Sequence, residues 1–535
     1  MTQTLSSRLR STSPWIVAAI IVGWGFVLRL ADLGTNPPGL WQDEASTGLD
    51  AYLIWTTGRD RAGALLPIIA RSFGDYPLAL YRYLDAPIVG LFGLTIAHER
   101  IVAALAGSLM IVTTGWLCFN TLGRRAAYGA ILSSAFAPTW IHFSRYGSEA
   151  ILLPCTLVTG LALIEHARIH RRHWMLWAGA LVLAASAYTY HAVKVILPPF
   201  MAALLWYQAP LLRELWRERR RHVLGPALLF AASVLPSVIV ALTPEGMARG
   251  RTVAAWVHSR GLGMVRTMLN NYLGYFDPGL LFVRGGPAVA QSVPGLGLWC
   301  FLDLPLLIVA VVAIARRHEP RRFLAFAVFW FLLGPLPGGI TFETHNVGRA
   351  IGWLPVPQIL AGFGLAVVWE WASRQRRRAI AVGTLVSALW LWTGAATTRL
   401  VLTRYPAYSA RDWQAEISRA LLCAKEQRGA RQIVVSPQFQ AAEVFARFHY
   451  SDLPPLPDGR PAWVFGRRST VPPGELLVTP AEDHRPSGRV LCEIKLGSAQ
   501  EPRAYVIAGE LVVVPELHIK NPLRVPSART SSRAN

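Results

Sequence analysis

Two adjacent carboxylates, Asp43 and Glu44, follow the first apolar stretch of the chain within the segment 36–45. Carboxylates close to a membrane surface are costly to desolvate, so ionisable residues at such a place are candidates for a functional role. Alternatively, both residues only stabilise the start of a helix near Ala45, where negative charge suits the helix dipole. These two residues alone leave both interpretations open.

Basic residues stand at the ends of several other apolar stretches and could face this carboxylate pair: Arg100, Arg145, Lys194, His345 and Arg349. Several cations around a carboxylate at one membrane surface suit a phosphate-bearing lipid, because the arginine fork binds phosphate oxygens. Considered alone, each of these cations is more simply explained as a basic side chain that reaches the membrane interface. A histidine there, such as His191 or His345, is most simply a hydrogen-bonded interfacial residue. Their joint occurrence on one side favours a binding site.

The composition indicates the class of protein in which these residues lie. The chain has 535 residues, of which 53% are hydrophobic and only 16% are charged, whereas about 25% are charged in a typical soluble domain. This excludes a cytosolic enzyme, a fibrous protein and a disulfide-rich secreted scaffold, and it predicts an α-helical polytopic membrane protein. A spanning helix takes roughly 20 apolar residues, and several of the runs are shorter, which leaves re-entrant segments open. About eleven transmembrane helices are predicted, at 15–28, 101–122, 126–141, 150–164, 174–187, 195–206, 223–242, 296–315, 323–336, 351–371 and 379–395.

The formal net charge of +22 could indicate nucleic-acid binding, but much of the positive charge lies in short connections between apolar runs. Such clusters flank membrane spans on the cytoplasmic side. With the N-terminus in the cytoplasm, five arginine clusters fall on that side, at 124–125, 168–172, 213–221, 316–322 and 374–378. The pattern predicts a multi-pass protein of the plasma (cytoplasmic) membrane, with no nucleic-acid partner.

This topology divides the chain into a transmembrane domain, 1–396, and an extracytoplasmic α/β domain, 397–520, followed by a disordered tail, 521–535. Within the first domain, the loops 34–97 and 243–294 face outward. In the second, a helix is expected near 411–426, and short β-rich runs stand at 432–436, 462–465, 476–479, 489–494 and 504–507. Cys423 and Cys492 lie in this domain and could form a disulfide if it faces an oxidising compartment.

Several short motifs occur in a characteristic order along residues 15–395. The Asp43–Glu44 pair is followed by segments at 57–60, 76–78, 81–84, 99–107, 271–278, 345–349 and 354–355. In this order and topology the chain resembles the GT-C membrane glycosyltransferases. Among these it is most similar to the protein O-mannosyltransferase and lipid A aminoarabinose-transferase relatives. One departure is Tyr76 before Pro77, where aminoarabinose transferases have a lysine.

The resemblance implies an inverting glycosyltransferase that moves a sugar from a polyprenyl-phosphate carrier to an acceptor on the outer face of the membrane. By this analogy Asp43 is the general base, and Glu44 stands beside it in the catalytic motif. The resemblance and the surface position of the cations assign the donor phosphate to Arg100, Lys194, His345 and Arg349. Candidate contacts of the acceptor or the sugar are Trp41, Arg145, Glu149, Tyr190 and His191.

No cofactor is expected, because the sequence has no Asp-x-Asp motif and no His/Cys cluster that would demand a metal. Relatives that transfer oligosaccharides with a divalent metal keep that alternative open. The expected partners are a polyprenyl-phosphate-linked sugar donor, a glycan, lipid or protein acceptor, and membrane lipid. The alternatives are a glycan ligase or polymerase, or a non-enzymatic transporter or lipid flippase. Transporters often show repeats and charges at the bilayer midplane, so charges at one surface favour an enzyme.

Overall fold

A computed structural model describes residues 2–316, 322–427, 430–466, 471–481, 488–496 and 501–509. A helix coincides with each of the eleven apolar segments predicted to span the membrane. The main helices of these segments are Thr2–Leu30, Ile96–Leu122, Arg124–Phe136, Leu152–His170, Trp174–Ala185, Val193–Tyr207, Arg221–Ala241, Asp303–Arg316, Arg322–Leu333, Val356–Ala372 and Arg376–Arg399.

The number of helices able to cross a membrane is smaller than the predicted eleven. Within the described residues, five are long and apolar enough, or up to seven if each of two bent pairs forms one span. Two shorter apolar helices, Ile16–Leu30 and Trp174–Tyr188, add to these. The predicted segment 126–141 shows one reason for the difference: the chain leaves helical geometry at Ala137 and resumes a short helix at Pro138, because proline has no N–H to continue the preceding helix.

Small residues allow the helices of the bundle to pack closely. A Cβ atom on Gly129 would lie 2.8 Å from the Cα of Gly362, so the helices Arg124–Phe136 and Val356–Ala372 approach to backbone contact at this point. Such small-residue contacts are typical of helix pairs in membranes. They hold the ends of the helices, and therefore the connecting loops, in fixed positions.

The predicted outer loop 34–97 contains two helices, Gln42–Thr57 and Leu80–Phe92. The first begins beside the Asp43–Glu44 pair, and the backbone N–H of Trp41 donates to Glu44 Oε2 at 2.8 Å. Glu44 is the third residue of the helix, where a carboxylate satisfies a free N–H and suits the dipole. The helix-capping interpretation therefore holds for Glu44.

The C-terminal part forms a five-stranded mixed sheet flanked by two helices, Ala415–Glu426 and Ala442–His449, the second of which was not predicted. The strands are β1 (Gln432–Val435), β2 (Trp463–Phe465), β3 (Glu475–Pro480), β4 (Arg489–Ile494) and β5 (Ala504–Ala508), in the order β2-β1-β3-β5-β4. β1 pairs in parallel with β2 and β3, and β5 pairs antiparallel with β3 and β4. All five predicted strands are therefore confirmed.

A disulfide joins Cys423 to Cys492 and so links the helix Ala415–Glu426 to β4. The hydrophobic core of this part also includes Leu40 and Ala45 from the loop before Asp43 and from the first turn of its helix. The sheet is thus attached to the segment that carries Asp43. The domain boundaries stay predictions, and the predicted disordered tail lies outside the described residues.

Candidate active site

A cavity of about 320 Å³ lies at the end of the bundle where the predicted outer loops meet. Segments far apart in sequence supply its mostly polar lining. Among the lining residues are Trp41, Asp43, Asp75, Arg82, Glu149, Tyr190, His191, Arg249 and Trp413. Of the predicted acceptor and sugar contacts, Trp41, Glu149, Tyr190 and His191 therefore share this cavity with Asp43.

Asp43 is the second residue of the helix Gln42–Thr57, and its side chain is exposed to this cavity. Burial within the surrounding protein raises the pKa of the Asp43 carboxyl above its usual value, although a hydrogen bond from Trp41 and the charges of Arg249 and Arg82 oppose the shift. A carboxylate with a raised pKa is a stronger base than an ordinary aspartate. Asp43 is therefore accessible and has the chemistry of a proton acceptor.

Glu44 differs sharply from Asp43, because its side chain is only 1% exposed. Its carboxylate accepts hydrogen bonds from the Arg100 Nε at 2.8 Å and Nη2 at 3.0 Å, and from the Gly147 N–H at 2.8 Å. With the bond from Trp41, these donors occupy the carboxylate. Glu44 therefore links the start of its helix to Arg100 and Gly147, and its predicted catalytic role stays a prediction.

Arg100 does not line this cavity or the second cavity described below, and its side chain has no exposed surface. Besides Glu44, its guanidinium donates to the carbonyl oxygens of Leu33, Pro37 and Gly39. These carbonyls belong to the stretch after the first helix and need donors there. The structure places Arg100 in these contacts with protein groups, and its predicted contact with the donor phosphate stays a prediction.

Arg145 has a similar environment. Its guanidinium is buried and donates to the carbonyl oxygens of Leu28, Ala31 and Asn36 at 2.7, 2.6 and 2.9 Å. Arg145 lines neither cavity, and its predicted contact with acceptor or sugar stays a prediction. Together, Arg145 and Arg100 fix the chain between the first helix and Asp43.

A second cavity of about 340 Å³ adjoins the first and has a mostly apolar lining. Tyr190, His191 and Arg249 line both cavities and so form their boundary. Two predicted phosphate contacts, Lys194 and Arg349, line this second cavity. The Lys194 ammonium donates to the Gly246 carbonyl at 2.6 Å, and Arg349 donates to Thr341 Oγ1 at 2.8 Å and pairs with Glu343.

His345 lines neither cavity. Its ring packs beside Tyr275, with 6.2 Å between the ring centroids, and its Nε2 lies where a Cβ of Gly274 would be, 2.9 Å away. The spacing of His345 and Arg349 in the sequence suggested a shared role. Arg349 lies within the 3-10 helix Val347–Trp353, whereas His345 precedes it, and the predicted phosphate contact of His345 stays a prediction.

Three charged residues of the first cavity were not among the predicted site residues: Asp75, Arg82 and Arg249. Asp75 lies 3.4 Å from His191 Nε2 and 3.1 Å from Arg249 Nη1. Burial alone would raise the pKa of Asp75, but the hydrogen bond and charge of His191 and the charge of Arg249 lower it to about 2. Arg82 pairs with the buried Asp50 at 3.2 Å.

The sequence contained a signal for two of these three residues and none for the third. Arg82 falls within the 81–84 motif that carries the resemblance, and Asp75 directly precedes the 76–78 motif, so both could have been proposed. Arg249 stands among other arginines in the loop 243–294, and nothing in its local sequence distinguishes it from its neighbours.

No group of three or more His, Cys, Asp or Glu side chains within the described residues is arranged to hold a metal ion. The polar lining of the first cavity combines four carboxylates, Asp43, Glu44, Asp75 and Glu149, with Arg82 and Arg249. Such an arrangement fits proton transfer and the binding of an anion without requiring a metal in either role.

The chain combines a bundle of apolar helices, several long enough to cross a membrane, with a polar cavity at one end and a small C-terminal mixed sheet, and it shares this fold with solved structures. The particular likeness is to ArnT from Cupriavidus metallidurans. Its structure in the apo state matches with a TM-score of 0.53 at 14% sequence identity, covering 93% of this chain and 98% of that chain. Its structure bound to undecaprenyl phosphate matches with a TM-score of 0.51 at 14% identity, covering 92% and 98%.

The oligosaccharyltransferase of Archaeoglobus fulgidus in complex with Zn and sulfate matches with a TM-score of 0.49 at 12% identity, covering 81% of this chain and 61% of that chain. No protein-family model and no curated protein sequence matches the chain. At these identities the likeness to the solved structures concerns the fold. The resemblance to GT-C membrane glycosyltransferases is confirmed at that level.

Proposed function

We propose that this protein is an inverting glycosyltransferase that moves a sugar from a polyprenyl-phosphate carrier to an acceptor on the extracytoplasmic side of the membrane. The observation that carries the proposal is the pair of adjoining cavities. One is polar and holds the accessible Asp43, the other is mostly apolar, and basic residues stand at their boundary.

The two cavities suit the two parts of such a donor. The apolar walls of the second cavity, which include Met247, Val253 and Trp256, suit the first isoprenoid units. Arg249 and His191 at the boundary suit the phosphate, because an arginine fork binds phosphate oxygens well. Lys194 and Arg349 add positive charge on the lipid side. The structure of ArnT with undecaprenyl phosphate supports a carrier of this class on this fold.

The sugar would then lie in the polar cavity beside Asp43. Asp43 removes the proton of an acceptor hydroxyl while that oxygen attacks the anomeric carbon from the face opposite the phosphate. The bond between the anomeric carbon and the phosphate oxygen breaks, and the phosphate leaves with the electron pair, stabilised by Arg249. General-base assistance of this kind typically contributes about 10²–10⁴-fold to the rate.

The experiment compares donor turnover by the purified, lipid-reconstituted chain with that of Asp43→Asn, over a panel of polyprenyl-phosphate sugars. We expect the variant to bind the donor and to lose about 10²–10⁴-fold in turnover, because Asn keeps the shape but accepts no proton. The matched control is Asp458→Asn, which removes a carboxylate paired with Arg460 in the C-terminal part, outside both cavities.

Equal turnover in Asp43→Asn and the native chain would refute the assignment of the base but leave the class. Absence of turnover for every donor, with labelled lipid crossing the bilayer instead, would refute the glycosyltransferase and favour a lipid flippase. Transfer of whole glycans rather than single sugars would favour a ligase or polymerase.

A further inference from the structure

Asp75 occupies a defined place at the tip of a short hairpin. The backbone N–H groups of Ser72 and Asp75 each donate to the carbonyl of the other at 2.8 Å. The two residues between them, Phe73 and Gly74, both have positive φ, at 48° and 83°, as the tightest two-residue hairpin turns require. The hairpin directs the Asp75 carboxylate into the polar cavity.

The Asp75 carboxylate reaches the boundary between the two cavities. It contacts His191 at 3.4 Å and Arg249 at 3.1 Å, and both of these residues line both cavities. Arg249 and His191 are the side chains that would hold the phosphate of a lipid whose sugar lies near Asp43 and whose chain lies in the apolar cavity. The carboxylate and the phosphate would therefore compete for the same N–H groups.

The exposure of this ion pair distinguishes it from the structural one nearby. The Arg100–Glu44 pair is 0% and 1% exposed and is surrounded by protein. In the Arg249–Asp75 pair the side chains are 39% and 22% exposed, so water or a ligand anion can reach both partners. A ligand anion can therefore take the place of the carboxylate without leaving either partner sealed inside protein without a counter-charge.

We propose that Asp75 is an internal competitor of the lipid phosphate: its carboxylate holds Arg249 and His191 until the phosphate displaces it, and its return expels the phosphate product. The inference rests on the proposed function, because it needs a lipid phosphate at this boundary. Asp75 acts through Arg249 and His191 and touches no reacting atom, so it is a positioning residue.

The competition matters most after transfer. The donor is a phosphodiester with one negative charge, whereas the product is a phosphomonoester that carries up to two. Cations that stabilise the leaving phosphate therefore also retain it, and a slow product release limits many enzymes. A carboxylate that returns to the same cations shortens the residence of the product on the protein.

The test measures equilibrium binding of undecaprenyl phosphate to the purified full-length chain and to Asp75→Asn. We expect binding to become about 10-fold tighter in the variant, since a competing charge-assisted hydrogen bond is removed, and turnover to fall as release slows. Undecaprenol, which has the same chain and no phosphate, should bind both proteins equally. Asp458→Asn should bind undecaprenyl phosphate like the native chain.

Weaker or unchanged binding in Asp75→Asn would overturn the proposal, because it would show that Asp75 only holds Arg249 in place. Asp75→Ser removes the same charge with a smaller side chain and provides the same measurement if the first variant does not fold. Failure of the native chain to bind undecaprenyl phosphate would overturn both this inference and the proposed donor. Loss of sugar transfer in Asp43→Asn with unchanged binding in Asp75→Asn would overturn the inference alone.

Discussion

At the scale of single residues, adjacent carboxylates in the sequence have different roles because their surroundings differ. Asp43 faces a cavity, and burial raises the pKa of its carboxyl. Glu44, one residue further on, points into protein and meets the Arg100 guanidinium. Neighbouring positions at the start of a helix point in different directions, about 100° apart around the axis. The helix start thus separates an accessible base from a structural anchor.

The raised pKa of Asp43 predicts a specific pH dependence of transfer. An aspartate acts as a base only when it is ionised, and an ordinary one ionises near about pH 3.9. The pKa of Asp43 lies above this usual value. On acidification, kcat/KM should therefore begin to fall at a pH above about 3.9. The measurement is a pH profile of kcat/KM in the reconstituted chain.

Glu149 provides the control, because it is another predicted carboxylate that lines the polar cavity. Glu149→Gln should keep the acid limb of the profile, even if its activity is lower. Disappearance of that limb in Glu149→Gln would identify Glu149, rather than Asp43, as the base.

At the scale of elements, one buried ion pair fixes the helix that carries Asp43. Arg100 and Glu44 connect the first turn of Ile96–Leu122 to the first turn of Gln42–Thr57, and Arg100 also holds the carbonyls of the preceding stretch. The sequence predicted Arg100 as a phosphate contact and did not indicate its pairing with Glu44. An arginine at the end of an apolar run has the same local sequence whether it faces a ligand or a buried carboxylate, and only the tertiary structure decides.

The change Arg100→Met tests this role. It leaves the Glu44 carboxylate buried without its charge partner, and breaking a buried pair in this way typically costs about 3–5 kcal/mol of stability. We expect a lower midpoint of thermal unfolding, measured in detergent, and unchanged affinity for undecaprenyl phosphate in the protein that remains folded. Arg171→Met is the matched control, because Arg171 forms exposed ion pairs with Glu214 and Glu218.

A direct phosphate contact would give the opposite pattern. In that case Arg100→Met would weaken lipid-phosphate binding strongly and leave thermal unfolding near that of the native chain.

At the scale of the whole molecule, the C-terminal part is not an independent appendage. Trp413 lines the polar cavity, the Gln42 N–H donates to Gln414 at 3.1 Å, and Asn36 donates to the Val401 carbonyl at 2.9 Å. The chain also approaches itself at Gly39, where a Cβ would lie 2.1 Å from the Trp413 carbonyl oxygen. The helices of the bundle and the C-terminal part therefore complete one cavity between them.

The replacement Gly39→Ala tests this contact. Since the obstructing atoms belong to the backbone of Trp413 and Ala415, the C-terminal part must shift. Overpacking of this kind typically costs about 1–3 kcal/mol. We expect reduced turnover and faster proteolysis in the connection near residue 410. Gly263→Ala should leave both unchanged, because a Cβ there meets nothing within 4 Å. Normal activity in Gly39→Ala would show that the C-terminal part is dispensable for the cavity.

The sequence was sufficient to predict features that depend on local composition. It did not predict contacts between residues that are far apart in the chain. Apolar runs identified the helices, and β-rich runs identified all five strands. Asp43 was proposed because its carboxylate lies in the loop that follows the first apolar run. By contrast, Asp75 and Arg249 are 174 positions apart, and no local pattern relates them. Burial of Arg100 and Arg145 also depends on contacts between separate helices, so their structural roles could not be read from the chain.

The disulfide between Cys423 and Cys492 connects the fold to the cellular compartment in which the C-terminal part folds. It spans 69 positions, and closing a loop of that length restricts the unfolded chain by about 4 kcal/mol in the entropic account. Cytosolic thiols are kept reduced, whereas the far side of a bacterial inner membrane or the secretory lumen is oxidising. On the predicted topology, which places the C-terminal part outside, helix Ala415–Glu426 and β4 are joined only after the polypeptide has been translocated. Translocation then precedes completion of the cavity that Trp413 helps to close.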